Sequence, residues 1–167
     1  MKKIGLFSDT HAWWDDRYLK YFAPCDEIWL AGDVVDEAIC DRLEASLAPE
    51  FGPRLHVFHS GKTPVRRRAA AEALRSGAPA VILGTRSALF LPFRRLRLVI
   101  VDEEQDPAYK QTEPAPRYHG RDAAVALAGI HGAQVLLGAV VPSLETRYNV
   151  RLGKYTLADG PANPPAA

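Results

Sequence analysis

Cysteine is nearly absent from this chain, with only Cys25 and Cys40 in 167 residues. Two thiols without metal-ligand spacing exclude a disulfide-stapled scaffold. With no secretory signal ahead of them, they are expected to be reduced in a cytoplasm. No apolar run approaches the ~20 residues that a helix needs to cross a bilayer, so no membrane association is expected. Internal repeats are missing, and asparagine is limited to Asn149 and Asn163. Also missing is a Gly-x-x-x-x-Gly-Lys-Ser/Thr loop, whose backbone amides wrap nucleotide phosphates while the lysine neutralises them. The nearest approach is Ser60-Gly61-Lys62-Thr63, but the position five before Gly61 is His56. A turn capping the next helix, with Pro64 at its first position, is the favoured reading of those residues.

What is present divides unevenly by charge. Residues 1–45 carry five basic side chains (Lys2, Lys3, Arg17, Lys20, Arg42) against ten acidic ones, a net of −5, while the rest of the chain nets +6. The near-neutral total of +1 hides two opposed segments. An acidic segment suits divalent metal and a basic one suits phosphate backbones.

Strand and helix patterns alternate. Apolar runs predict strands at Lys3–Phe7, Glu27–Ala31, Arg54–Phe58, Ala80–Leu83, Leu96–Val101 and Gln134–Leu137. Helices are expected at Asp15–Phe22, at Asp36–Leu47 ahead of Pro49, at Pro64–Ser76 and at Arg121–Ile130. This alternation implies an α/β fold, a doubly wound and mostly parallel sheet between two helical layers. One domain over residues 1–159 is expected, with a frayed tail at 160–167, where Pro and Ala dominate. Trp13, Trp14 and Trp29 need burial, and Trp29 is a core candidate.

The chemistry concentrates in Leu98–Asp106, LVIVDEEQD, where an apolar strand delivers four carboxylates and a glutamine within five positions. In nucleotide-driven motors one such carboxylate holds the phosphate-bound Mg²⁺ and a second lies beside the attacking water. Those roles fall here to Asp102 and Glu103. The continuation Tyr109-Lys110-Gln111, then Pro114 to Asp122, PAPRYHGRD, joins the upstream Gly84 to Phe90, GTRSALF. Over about residues 39–159 these motifs resemble the first motor domain of the replication-restart helicases of the PriA family. The resemblance implies a RecA-like domain with Asp102 and Glu103 catalytic, Gln105 joining them at the nucleotide, Thr85 and Arg86 on DNA, ATP with Mg²⁺ or Mn²⁺ as cofactor, and primosome proteins as partners. Gly138-Ala139-Val140-Val141-Pro142-Ser143 replaces the family's Gly-Ser/Thr-Ala-Thr-Pro, so the coupling hydroxyls are missing. Tyr118, His119 and Arg121 are expected to tie the acidic strand to the following helix.

Residues 1–36 differ. Asp9-x-His11 and Gly32-Asp33 resemble the start of calcineurin-like metallophosphoesterases, which implies Asp9, His11 and Asp33 as ligands of one divalent ion and an incomplete phosphodiesterase as the alternative function. Such chemistry needs two metals held by about seven ligands, and the family's later ligand motifs are missing. Asp9 and Asp33 otherwise read as helix caps. Asp9, Asp33, Asp102 and Glu103 all follow parallel strands, so a composite metal site at one sheet edge is a further expectation. Arg66, Arg67 and Arg68 on one helix, with Arg94, Arg95 and Arg97 around a strand, read as solvated faces. The combined expectation is a phosphoesterase-type βαβ unit in front of a helicase domain that lacks its phosphate loop and turns over no ATP by itself.

Overall fold

A computed structural model describes residues 4–7, 27–31 and 37–157. Seven strands form one sheet: β1 (Ile4–Phe7), β2 (Glu27–Ala31), β3 (Leu55–Phe58), β4 (Ala80–Gly84), β5 (Leu96–Val101), β6 (Gln134–Gly138) and the two-residue β7 (Thr156–Leu157). The spatial order is β3-β4-β2-β5-β6-β1-β7, and each of these strand pairings is parallel. All strand C-termini therefore open on one edge of the sheet, where loops can carry function. Both N-terminal strands belong to this sheet: Ala31 pairs with Val101 of β5 and Phe7 with Gly138 of β6. Trp29 holds a position in β2 opposite Ile82 and Val99.

Among the described residues four helices accompany the strands: α1 (Glu37–Phe51), α2 (Pro64–Ser76), α3 (Gly120–His131) and α4 (Leu144–Arg151). Strand residues alternate between two cores, as a two-residue side-chain period demands of a sheet covered on both faces. Ile82, Val99, Val101, Val135 and Leu137 pack with Ala70 and Leu74 of α2 and with Ala124 and Ala128 of α3. Val81, Leu83, Leu98 and Leu136 pack with Cys40, Leu47 and Phe51 of α1. Buried Cys40 thus serves as a small apolar side chain.

Local chemistry fixes the element ends. Thr63 caps α2 by accepting the Arg66 N–H at 3.4 Å, Pro64 fills the first turn, and Gly77 closes the helix at φ +73°. Arg94 and Arg95 donate to the carbonyls of Arg75 and Gly77 at 2.9 and 3.0 Å, so these two cations cap the α2 C-terminus as well as facing solvent. Helix α1 runs past Pro49 to Phe51 rather than ending at Leu47. Leu47 and Phe51 are both buried, and the Arg54 guanidinium lies 5.8 Å from the Phe51 ring, contacts that offset the proline's lost hydrogen bond. The expected helix at Asp15–Phe22 and the tail at 160–167 lie outside the described residues, as do the side chains of Trp13, Trp14 and Trp29.

Candidate functional site

The acidic loop begins where β5 ends. Glu103 takes φ +47°, the one non-glycine in the left-handed region among the described residues. Such a conformation is disfavoured for a side chain with a Cβ and is held here by its surroundings. The Glu103 N–H donates to Asp102 Oδ1 at 3.0 Å, the Asp106 N–H donates to the Glu103 carbonyl at 2.8 Å, and the Gln105 amide donates to the Glu103 carboxylate. Asp106 in turn caps a short 3-10 turn, Pro107–Tyr109, by accepting the Ala108 N–H at 2.7 Å. Tyr109, 1% exposed, sends its hydroxyl back to the Asp102 carbonyl at 2.6 Å and stacks on His119. The loop is therefore pinned from below by a buried ring.

The third acid of the run does something different. Glu104 is fully buried, its N–H donates to the Gly138 carbonyl at 2.8 Å, and both carboxylate oxygens are occupied. Oε1 accepts the Ser143 N–H at 2.7 Å, while Oε2 accepts Arg121 Nη1 at 2.8 Å and the Ser143 hydroxyl at 3.0 Å. Ser143 Oγ also accepts the Thr146 N–H and so caps α4. Arg121 splits its fork, with Nε on Asp122 Oδ1 at 2.8 Å. Burial alone would pull the guanidinium down, but its hydrogen bonds to Asp122 and Glu104 outweigh burial and hold it above the ordinary arginine value. His119 goes the other way: burial, then the Arg121 cation, depress it below the ordinary imidazole range. One buried ion pair thus joins the loops after β5 and β6 to the first turn of α3.

Glycines mark where this arrangement is tight. A Cβ at Gly138 would lie 2.9 Å from Asp102 Oδ1, and one at Gly84 would lie 2.5 Å from the Phe58 carbonyl oxygen. A Cβ at Gly120 would come within 3.0 Å of both Arg86 Cγ and Tyr109. Arg86, on the 3-10 turn Arg86–Phe90 after β4, therefore reaches the start of α3 although β2 separates its strand from β5. Its Nη1 is buried without a hydrogen-bond partner among the described residues, as are Gln105 Oε1 and His119 Nδ1. Thr85 shares a hydroxyl contact of 3.2 Å with Ser87 at the same edge.

These positions sort the sequence expectations. Asp102, Glu103 and Gln105 share one loop, and Thr85 and Arg86 stand on the same sheet edge. Lys62 forms ion pairs with Asp41 at 2.6 Å and Glu44 at 2.9 Å, which raise its pKa and lower that of Asp41, while Thr63 caps α2. The Ser60–Thr63 turn is thus the helix start that its sequence suggested, and the structure adds a tie to α1 through its lysine. Arg121 ties strand to helix as expected, but Glu104 and Ser143 went unrecognised in the sequence. The one local signal was a serine directly ahead of a polar helical stretch, an N-cap pattern. Asp9, His11 and Asp33 lie outside the described residues, and no group of three or more His, Cys, Asp or Glu side chains able to hold a metal occurs among the described ones. The described side chains therefore do not fit a standing metal centre. No helix among the described residues is long and apolar enough to cross a membrane.

No protein-family model matches the chain. The replication restart protein PriA of Chlamydia pneumoniae is 46% identical over 113 residues, 65% of this chain and 14% of that protein. PriA of Haemophilus influenzae is 45% identical over 105 residues, and that of Bacillus subtilis 35% over 129 residues, or 72% of this chain. About two thirds of the chain is similar to one segment of these PriA proteins. It spans only about 14–16% of the length of these relatives. The fold agrees: the S. cerevisiae Dbp5 C-terminal domain superposes with TM-score 0.62 over 95% of this chain and 89% of its own, at 15% identity. A DEAD box protein from Methanococcus jannaschii gives 0.58 over 94% of this chain and 45% of its own at 12% identity, and RecG bound to a three-way DNA junction 0.53 over 97% and 21%, also at 12%. These likenesses establish a RecA-like helicase fold for the PriA-like segment and its N-terminal strands together. Neither the fold nor the relatives support a phosphoesterase origin for residues 1–36, whose expected ligands rest on the sequence alone.

Proposed function

We propose that this chain is a nucleic-acid-binding helicase-type domain that keeps the acidic loop of a DNA motor but hydrolyses no ATP unaided. The observation that carries this reading is the Glu104–Arg121–Ser143 cluster, which holds the Asp102–Gln105 loop in a defined shape on the sheet edge that also bears Thr85 and Arg86. A loop kept in a strained conformation by a buried ion pair is what a catalytic carboxylate needs, and the PriA relatives support reading it so. Against turnover stands the missing phosphate loop, since Lys62 is tied to α1. Asp102 would hold Mg²⁺, with Glu103 beside the water and Gln105 bracing Glu103, once a nucleotide and its phosphate cradle were supplied by another chain. The metal would there neutralise phosphate charge. Thr85 and Arg86 contact the backbone of single-stranded DNA in the absence of nucleotide, and primosome proteins are the partners this reading implies.

Two assays test it. The purified chain should retain a labelled single-stranded oligonucleotide at low salt and release it at high salt. The same chain should show no DNA-stimulated ATP hydrolysis. Turnover abolished by Glu103→Gln would overturn the second half of the proposal, and salt-independent failure to bind DNA the first.

A further inference from the structure

Phe90 ends the 3-10 turn that begins at Arg86, and it is 70% exposed while its neighbours Ala88 and Leu89 are buried at 0% and 5%. The turn is fixed by hydrogen bonds from Ala88 N to the Thr85 carbonyl at 2.9 Å and from Leu91 N to the Ala88 carbonyl at 3.1 Å. The ring is thus held out of the core by a rigid backbone. One side of it meets Tyr118 edge-to-face, with centroids 5.4 Å apart and planes at 89°. Tyr118 in turn lies close enough to Arg86 to feel its charge, and Arg86 is a half-buried side chain whose Nη1 is itself enclosed and without a hydrogen-bond partner among the described residues. An exposed ring braced at its edge, with a cation four residues earlier on the same turn, combines the two elements that bind an unpaired nucleotide: a stacking surface and a phosphate contact.

Building on the nucleic-acid binding proposed above, we propose that Phe90, braced by Tyr118, is a stacking platform for one unpaired base of a single strand whose phosphate lies on Arg86. Duplex DNA offers no free base face, so the platform selects single strands over duplex.

The test is fluorescence anisotropy of the full chain with a labelled oligothymidylate, with the same strand carrying abasic sites, and with a duplex. Phe90→Ala should weaken oligothymidylate binding by about tenfold, leave the abasic strand and the duplex unchanged, and keep the salt slope of the parent. Phe90→Trp should restore the affinity. Because the ring is exposed, an unchanged melting temperature would show that Phe90→Ala still folds. If the parent binds oligothymidylate and Phe90→Ala binds equally well, or loses the abasic strand to the same extent, the platform is wrong and the nucleic-acid reading stands. If the parent binds none of the three, both fall.

Discussion

Replacing Arg121 by Met breaks the one ion pair among the described residues whose two side chains are both nearly enclosed, at 9% and 0% exposure. The methionine fills much of the arginine's stem but leaves Glu104 charged and buried with only the two Ser143 donors. Removing one partner of such a pair costs about 3–5 kcal/mol, because an uncompensated charge remains out of water. Against a total stability of roughly 5–15 kcal/mol that is a large fraction. In a chain of this size each kcal/mol moves the melting midpoint by about 2–4 °C, so a fall of roughly 6–20 °C is expected. Glu104→Gln should cost less, since an amide oxygen can still accept the Ser143 N–H and Asp122 still holds Arg121 Nε. The double variant Glu104→Leu with Arg121→Met should recover much of the loss, because apolar isosteres of a buried pair are often neutral. Urea unfolding of the parent, of the single variants Arg121→Met, Glu104→Gln and Glu104→Leu, and of the double variant measures this. An Arg121→Met variant within about 0.5 kcal/mol of the parent, or a double variant as unstable as the sum of its singles, would refute the reasoning.

Further outcomes follow from the same geometry. His56 and His119 both have depressed pKa values, the first through burial and the second through burial and then Arg121. Between those depressed values and the ordinary ~6.5 the unfolded chain binds more protons, so stability is full above about pH 6.5 and falls on acidification through that window. Urea midpoints that rise on acidification would contradict this, and His119→Gln should flatten the trend. Gly138→Ala places a methyl 2.9 Å from Asp102 Oδ1 and should destabilise by about 1–3 kcal/mol, less so with Asp102→Ala in the same chain. Lys62→Met should lower the melting temperature slightly and leave the binding of a fluorescent nucleotide unchanged. A loss of nucleotide affinity on that change would restore Lys62 as a phosphate ligand.

The sequence revealed the frame more fully than the site. Helix α2 matches its expected bounds because Thr63, Pro64 and Gly77 are local signals that need no tertiary context. β5 likewise coincides with its apolar run. Helix α1 overran Pro49 because burial of Phe51 is a tertiary effect, invisible to a rule about proline. Helix α4, only eight residues long, was missed because its Leu144 and Tyr148 stay exposed and give no inward-facing period. The acidic run flagged the loop, yet which carboxylate faces solvent and which is buried depends on Arg121 and Ser143, 17 and 39 residues away. No local pattern encodes a contact of that span. The ion pairs of Lys62 illustrate the converse, since Gly-Lys-Thr alone invites a phosphate role that Asp41 and Glu44 compete against.

The most direct test of the central claim is the affinity of the purified chain for a single-stranded oligonucleotide across a salt series, with Arg86→Ala alongside. The proposed backbone contact predicts that affinity falls linearly on a logarithmic salt scale, and that Arg86→Ala weakens binding and reduces the slope by about one. A chain that binds no oligonucleotide at low salt, or an Arg86→Ala variant with unchanged affinity and slope, would contradict it.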